Sequence, residues 1–369
     1  MTNSTLFEIQ QASGAVFGPS GGREMARSYG DAVTEHRAVR KKAGLIDQSH
    51  RGKLRLTGRD RIDFLHGMVT NDIKKLTPGN GLYAIFTTDK AKMLADARIY
   101  CLPDALWIDL ESEATGKIYK HLDKYTLASD VIIENLTETQ GLLSVYGPSS
   151  SEIITQLIAP APPPPKEYST TSVAPGGVSI LVARNEITGE VGYDLYIPMD
   201  ELAVIWNRLL QIGGPHGLQP VGLEALNSLR IEAGIARYGL DMDESNFPME
   251  AGLEAKAISY TKGCYIGQET IARADAQGRM NKRLMGLELA GESVPKKGQP
   301  IQAPPERPGA EGRVIGTVTS AVKSPTLEKV IAMGYLHHDF IKPGTEVLID
   351  GRPAAVAALP FYKRDSPSL

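Results

Sequence analysis

Only two cysteines, Cys101 and Cys264, occur in 369 residues. Two thiols cannot build a disulfide framework, and no CxxC pair offers half of a structural zinc site. An iron–sulfur cluster takes about four thiolates, so the chain cannot hold one unaided. No apolar run approaches the ~20 residues that cross a bilayer. The opening Met1-Thr2-Asn3-Ser4-Thr5-Leu6-Phe7 lacks the basic and apolar segments of a secretion signal and the arginine bias of a transit peptide. A soluble, cytoplasmic protein without membrane contact is expected. A large excess of one charge is also missing: the net charge of −3 does not suit a surface that neutralises nucleic-acid phosphates.

Familiar nucleotide and metallohydrolase motifs are missing too. There is no G-x-G-x-x-G, no P-loop and no HExxH. The G-x-S-x-G match, Gly18-Pro19-Ser20-Gly21-Gly22, has a proline before the serine and a polar approach, the wrong context for a hydrolase elbow. In the doublet His337-His338, neighbours on a strand would point to opposite faces, so joint metal ligation is not expected.

What is present is ordinary globular composition, 42% hydrophobic and 22% charged, in a chain long enough for two or three units. Alternation of Lys53, Leu54, Arg55 and Leu56 predicts a half-buried strand, and Ile62, Leu65 and Val69 fall on one helical face. Strands are expected at 82–86, 93–102, 105–110 and 131–135, with a helix at 113–124. A second unit opens at 142–147, followed by a helix at 149–158, a proline tract at 159–166 that forbids helix, strands at 178–182 and 193–197, and helices at 201–211 and 221–233. After Asn281 the texture turns to short β-rich runs separated by glycine and proline. The expected division is an α+β region over 1–280, with subdomains at about 25–140 and 141–280, then a β-barrel over 281–369.

Three elements carry chemistry. The run Lys262-Gly263-Cys264-Tyr265-Ile266-Gly267-Gln268-Glu269 sets a thiol between glycines that permit a tight turn, beside a lysine that could favour the thiolate. An inert buried cysteine is the alternative. In Thr188-Gly189-Glu190-Val191-Gly192-Tyr193-Asp194, a glycine-shaped turn presents two carboxylates. Arg230 ends an otherwise apolar helix and wants a carboxylate or planar ligand, an internal ion pair being the plain alternative.

Together these elements resemble the aminomethyltransferase (glycine-cleavage T-protein) superfamily over about residues 25–360, and the octapeptide around Cys264 resembles its YgfZ-type folate-binding branch. Val69-Thr70-Asn71-Asp72 and Phe247-Pro248-Met249-Glu250-Ala251-Gly252-Leu253 add to the match. The resemblance implies a pseudo-symmetric folate-binding body with a central channel, a C-terminal β-barrel and tetrahydrofolate as cofactor. It places Asp194 at a pterin-binding glutamate, with Glu190 as alternative because Asp194 is one methylene shorter, and Arg230 as partner. Tyr83 and Asp96 would line the channel. The transferases carry two successive acids where this chain has Ala95-Asp96, the first engaging the acceptor nitrogen, so standard aminomethyl transfer is expected to be weak or absent. The branch implies an accessory protein for iron–sulfur cluster assembly or repair, indirectly affecting tRNA modification, whose partners are iron–sulfur proteins or assembly factors, with Cys264 and Lys262 acting at the channel rim. The competing expectation is a folate-dependent aminomethyl or one-carbon transferase.

Overall fold

The structure, a computed structural model, describes residues 2–3, 5–276, 278, 280–305 and 312–364. Its first large sheet is antiparallel, in the order Gly81–Thr87, Met93–Cys101, Leu106–Leu110, Gly52–Thr57, Ile132–Asn135. Leu54, Leu56, Ile85 and Ile108 are fully buried in a core shared with Ile118 and Leu122 of the helix Ser112–Asp123 and with Leu65 of the helix Arg61–Met68. Each such aliphatic side chain contributes about 1.5–3 kcal/mol relative to exposure. Gly52 lets the helix close on the sheet, because a Cβ there would meet Thr115 Oγ1 at 1.8 Å.

The second sheet runs Thr170–Val173, Ile180–Arg184, Gly192–Pro198, Gln140–Tyr146, Ala43–Asp47, Leu218–Pro220. The helices Ser150–Ile158 and Leu202–Gly213 bury Ile153, Leu157, Ile205, Trp206 and Leu209 in one core with its strands. The strand Ala43–Asp47 precedes every strand of the first sheet yet lies inside the second, so the two sheets are interleaved along the chain across the junction expected near residue 140.

The texture change after Asn281 corresponds to a closed barrel of six strands: Lys282–Leu289, Lys329–His337, Val314–Ser324, Pro300–Gln302, Glu346–Ile349 and Arg352–Ala357. This barrel packs on the helix Leu223–Glu232. Ile231 shares a core with Leu284, Ile331 and Met333, while buried Glu232 accepts hydrogen bonds from Ser324 and Thr326.

Candidate functional site

A cavity of about 470 Å³ lies where the first sheet, the helix Leu223–Glu232 and the barrel meet. That volume lies within the usual range of small-molecule sites, ~300–1,000 Å³. Tyr83, Asp96 and Arg98 reach it from the first sheet, Gln48, His50 and Arg51 from the turn after Ala43–Asp47, Asn227 and Arg230 from the helix, and Arg283 from the barrel. A second, more open cavity of about 690 Å³ lies between residues 240–250 and the barrel. None of the sequence-predicted site residues line it.

Strand alternation decides which acid faces the first cavity. Ala95, paired with Phe86, is fully buried in the hydrophobic core, whereas Asp96 points the other way, into the cavity wall. The expectation that an alanine at 95 removes the working acid is therefore corrected: position 95 never faces the site. Asp96 Oδ2 accepts from the Tyr83 hydroxyl at 2.7 Å, and Oδ1 is buried without a partner. Burial raises the proton affinity of the Asp96 carboxyl above the ordinary range, an effect only partly offset by the Tyr83 hydrogen bond and by Arg51 and Arg98.

One wall of the cavity is ionic. Arg51 binds Asp109 through Nε at 2.8 Å and binds Glu111 through its fork, while Arg237 donates to the other oxygen of Glu111 at 2.8 Å. Burial would raise the Glu111 carboxyl, but Arg51 and Arg237 outweigh it and hold the group far below its usual range. Arg98 reaches Asp109 at 3.3 Å and Asp194 at 3.5 Å. These residues come from strands and turns far apart in sequence, and no local pattern announces them. Tyr168 was missed as well: its ring stacks on Tyr83 with centroids 6.4 Å apart and lines the cavity, on a residue with φ of 64° just beyond the proline tract. Left-handed backbone at a tyrosine is strained, and such strain clusters at functional sites.

The two carboxylates assigned to the pterin do not reach the cavity. Asp194 is fully buried and accepts from Ser144 Oγ at 2.6 Å, Tyr146 OH at 2.7 Å and Asn185 Nδ2 at 2.5 Å. With one methylene fewer than glutamate it sits behind the wall, where it orients Arg98. Glu190 is likewise internal, taking Arg40 at 3.0 Å and the Tyr362 hydroxyl at 2.7 Å. Arg230 lines the cavity, but its donors go to Asp241, Asn227, Ile235 O and Ser320. The internal ion pair accounts for it, and its planar fork joins helix to barrel.

The octapeptide around Cys264 is built as a clip. Lys262 is buried and donates to the backbone carbonyls of His66, Val69 and Asn71, so its ammonium serves these carbonyls rather than the thiol. Burial lowers its pKa to about 8. Gly263 has only His66 near its missing side chain, and Gly267 has φ of 87° with Thr88 O 2.5 Å from where a Cβ would stand. Only glycine fits there. Tyr265 is buried with Ala91, Met249, Ile258 and Ile271; Gln268 reaches Lys262 O at 3.4 Å; Glu269 pairs on the surface with Arg273 at 2.7 Å. Cys264 is exposed, and neither Cys264 nor Lys262 lines the cavity. A thiol-labelling reagent is expected to modify one cysteine of the native chain, Cys264, and the buried Cys101 only after denaturation. Mass spectrometry of the labelled peptides checks this.

The histidine doublet also departs from expectation. His337 ends its strand and His338 opens a 3₁₀ turn, so the rings lie side by side with centroids 4.3 Å apart, and Asp339 pairs with both. The ligand atoms of these three residues lie within 4.8 Å of one another, the one such metal-competent group among the described residues, and none of the three lines the cavity that holds Asp96. Among the described residues no helix is long and apolar enough to cross a membrane.

Residues 6–262 match the family model described as the GCVT N-terminal domain, and residues 282–363 match the glycine cleavage T-protein C-terminal barrel domain. An aminomethyltransferase of Halothermothrix orenii is 32% identical over 98% of this chain and 100% of its own length. One from Symbiobacterium thermophilum is 32% identical over 98% of each chain. The crystal structure of the glycine cleavage system aminomethyltransferase T from Bartonella henselae shares the fold, with a TM-score of 0.85 over 98% of each chain at 24% identity.

Proposed function

Because the chain belongs to the aminomethyltransferase (glycine-cleavage T-protein) family, which uses tetrahydrofolate as substrate or cofactor, we propose that it transfers a one-carbon unit from an amine-bearing donor to tetrahydrofolate. The observation that carries this reading is Asp96. It is an acid of raised proton affinity, set in a cavity wall and fixed through one oxygen by Tyr83. A carboxylate so placed can take the proton that a nitrogen loses on bonding to carbon. The cavity also suits the cofactor's chemistry. The Tyr83–Tyr168 pair offers aromatic surface, and the part-exposed Lys256, paired with Glu167 at 2.9 Å, and Arg283, paired with Glu254 at 2.7 Å, line the same cavity as cations that a ligand carboxylate can share. Bound tetrahydrofolate would supply the nitrogens that receive the one-carbon unit.

Calorimetric titration with tetrahydrofolate under anaerobic conditions tests the reading. Saturable binding of one equivalent, lost on Tyr83→Ala, is expected. A folded chain that takes up no tetrahydrofolate at millimolar concentration contradicts it.

A second reading, the iron–sulfur accessory role, has one observation in its favour, the exposure of Cys264 within its octapeptide. It predicts that Cys264→Ala abolishes support of cluster enzymes in a deletion strain. The transferase reading predicts unchanged turnover in the same variant.

A further inference from the structure

His50 is the least satisfied polar group on the cavity wall. It is 3% exposed, its Nδ1 is buried without a hydrogen-bond partner, and its Nε2 makes no hydrogen bond to any described residue. The residue nevertheless lines the cavity, and the adjoining Arg51, Glu111 and Arg237 are all committed to ion pairs. The sealed Nδ1 is costly, since its hydrogen bond to water has been given up and none replaces it, while Nε2 is left without any protein partner. Such a deficit persists where something else completes the set.

The surroundings say what that is. Burial, reinforced by Arg237, Arg51 and Lys53 and opposed by Glu111, pushes His50 down to about 3, so its ring is neutral. Of the two neutral tautomers, the one with its proton on Nε2 leaves Nδ1 as a buried acceptor. The other would leave a buried N–H donor unmade, and orphaned donors are the rarer of the two in folded proteins. The proton therefore belongs on Nε2, the nitrogen not sealed within protein. The nearby cations disfavour a cationic group there and favour an electronegative one.

Resting on the folate-transferase reading above, we propose that His50 is a ligand-contacting, specificity-determining residue. Its neutral Nε2–H donates a hydrogen bond to a carbonyl or carboxylate oxygen, or to a ring nitrogen, of the molecule bound beside Asp96. This contact selects ligands that carry an acceptor at that point over analogues with an amino group there.

The test uses the full chain, 5-formyltetrahydrofolate as a stable probe, and two variants. His50→Phe keeps a planar ring and removes both nitrogens; His50→Gln keeps an N–H donor. A merely structural histidine would lower thermal stability when replaced by phenylalanine. A ligand contact has the opposite signature: His50→Phe without ligand is expected to melt no lower than wild type, because a polar deficit has been removed, while probe affinity falls about tenfold, the loss of one hydrogen bond. His50→Gln is expected to bind within about threefold of wild type. Wild-type affinity is expected to show no step from imidazole ionisation between about pH 5.5 and 8.5, because His50 stays neutral throughout. Wild-type binding with His50→Phe equally tight overturns the proposal alone, as does a lowered melting temperature with unchanged affinity. Should His50→Phe fail to fold, His50→Gln decides: a tenfold loss there overturns the donor assignment. Absence of probe binding by folded wild type overturns the folate reading and this proposal with it.

Discussion

Replacing Asp96 by asparagine is expected to lower the rate of one-carbon transfer by roughly two to four orders of magnitude, the usual contribution of a positioned acid or base, while tetrahydrofolate affinity changes only a few-fold. The amide preserves shape and the link to Tyr83 but cannot accept a proton. The carboxyl's raised proton affinity gives the wild-type enzyme a second signature. As the proton acceptor it must be ionised, so the rate falls as pH drops through a value above the ordinary carboxylate range, and Asp96→Asn lacks this acidic limb. Stopped-flow or quenched assays across pH measure both. A variant that transfers at the wild-type rate removes Asp96 from the chemistry.

Arg230→Ala is expected to unfold the seam between body and barrel rather than to empty the cavity. Its guanidinium is buried and shared among Asp241, Ser320 of the barrel strand Val314–Ser324, Asn227 and Ile235 O. Removing one partner of a buried pair leaves the other charge stranded, at a cost of about 3–5 kcal/mol, which for a chain of this size lowers the melting temperature by roughly 4–6 °C. Asp241→Asn in the same background is expected to restore part of the loss, because the stranded carboxylate is then gone. Thermal denaturation of the single and double variants measures this coupling. An unchanged melting temperature with abolished folate binding would return Arg230 to the ligand-binding role implied by family resemblance.

The contrast between these two residues shows what could be read from the chain. Asp96 was legible as a channel residue, and the change to β-rich texture after Asn281 marked the barrel that closes from Lys282 onward. Although its other face is covered too, with Lys53 fully buried and donating to Ser49 O and Arg51 O where a half-buried strand was expected, the strand Gly52–Thr57 announced itself by alternation. Ala43–Asp47 did not: all five residues are buried, so its sequence has no period to detect. Facing was the harder question. Ala95 and Asp96 are neighbours, and only the register of the strand Met93–Cys101 against Gly81–Thr87 shows which one turns to the cavity. Arg51, Asp109, Glu111 and Arg237 form one ionic wall from segments nearly 190 residues apart, and long-range convergence of that kind leaves no local trace. The same holds for Lys262, whose neighbour in sequence is a thiol but whose partners in space are three carbonyls at the end of a distant helix.

The most direct test is formation of methylene-tetrahydrofolate from tetrahydrofolate and an aminomethylated lipoyl carrier, followed together with ammonia release. The proposed function predicts catalytic turnover by the purified chain with one ammonia released per methylene transferred, retained in Cys264→Ala and lost in Asp96→Asn. A folded chain that binds tetrahydrofolate yet forms no product from this donor or from other methylated or aminomethylated amines would contradict it.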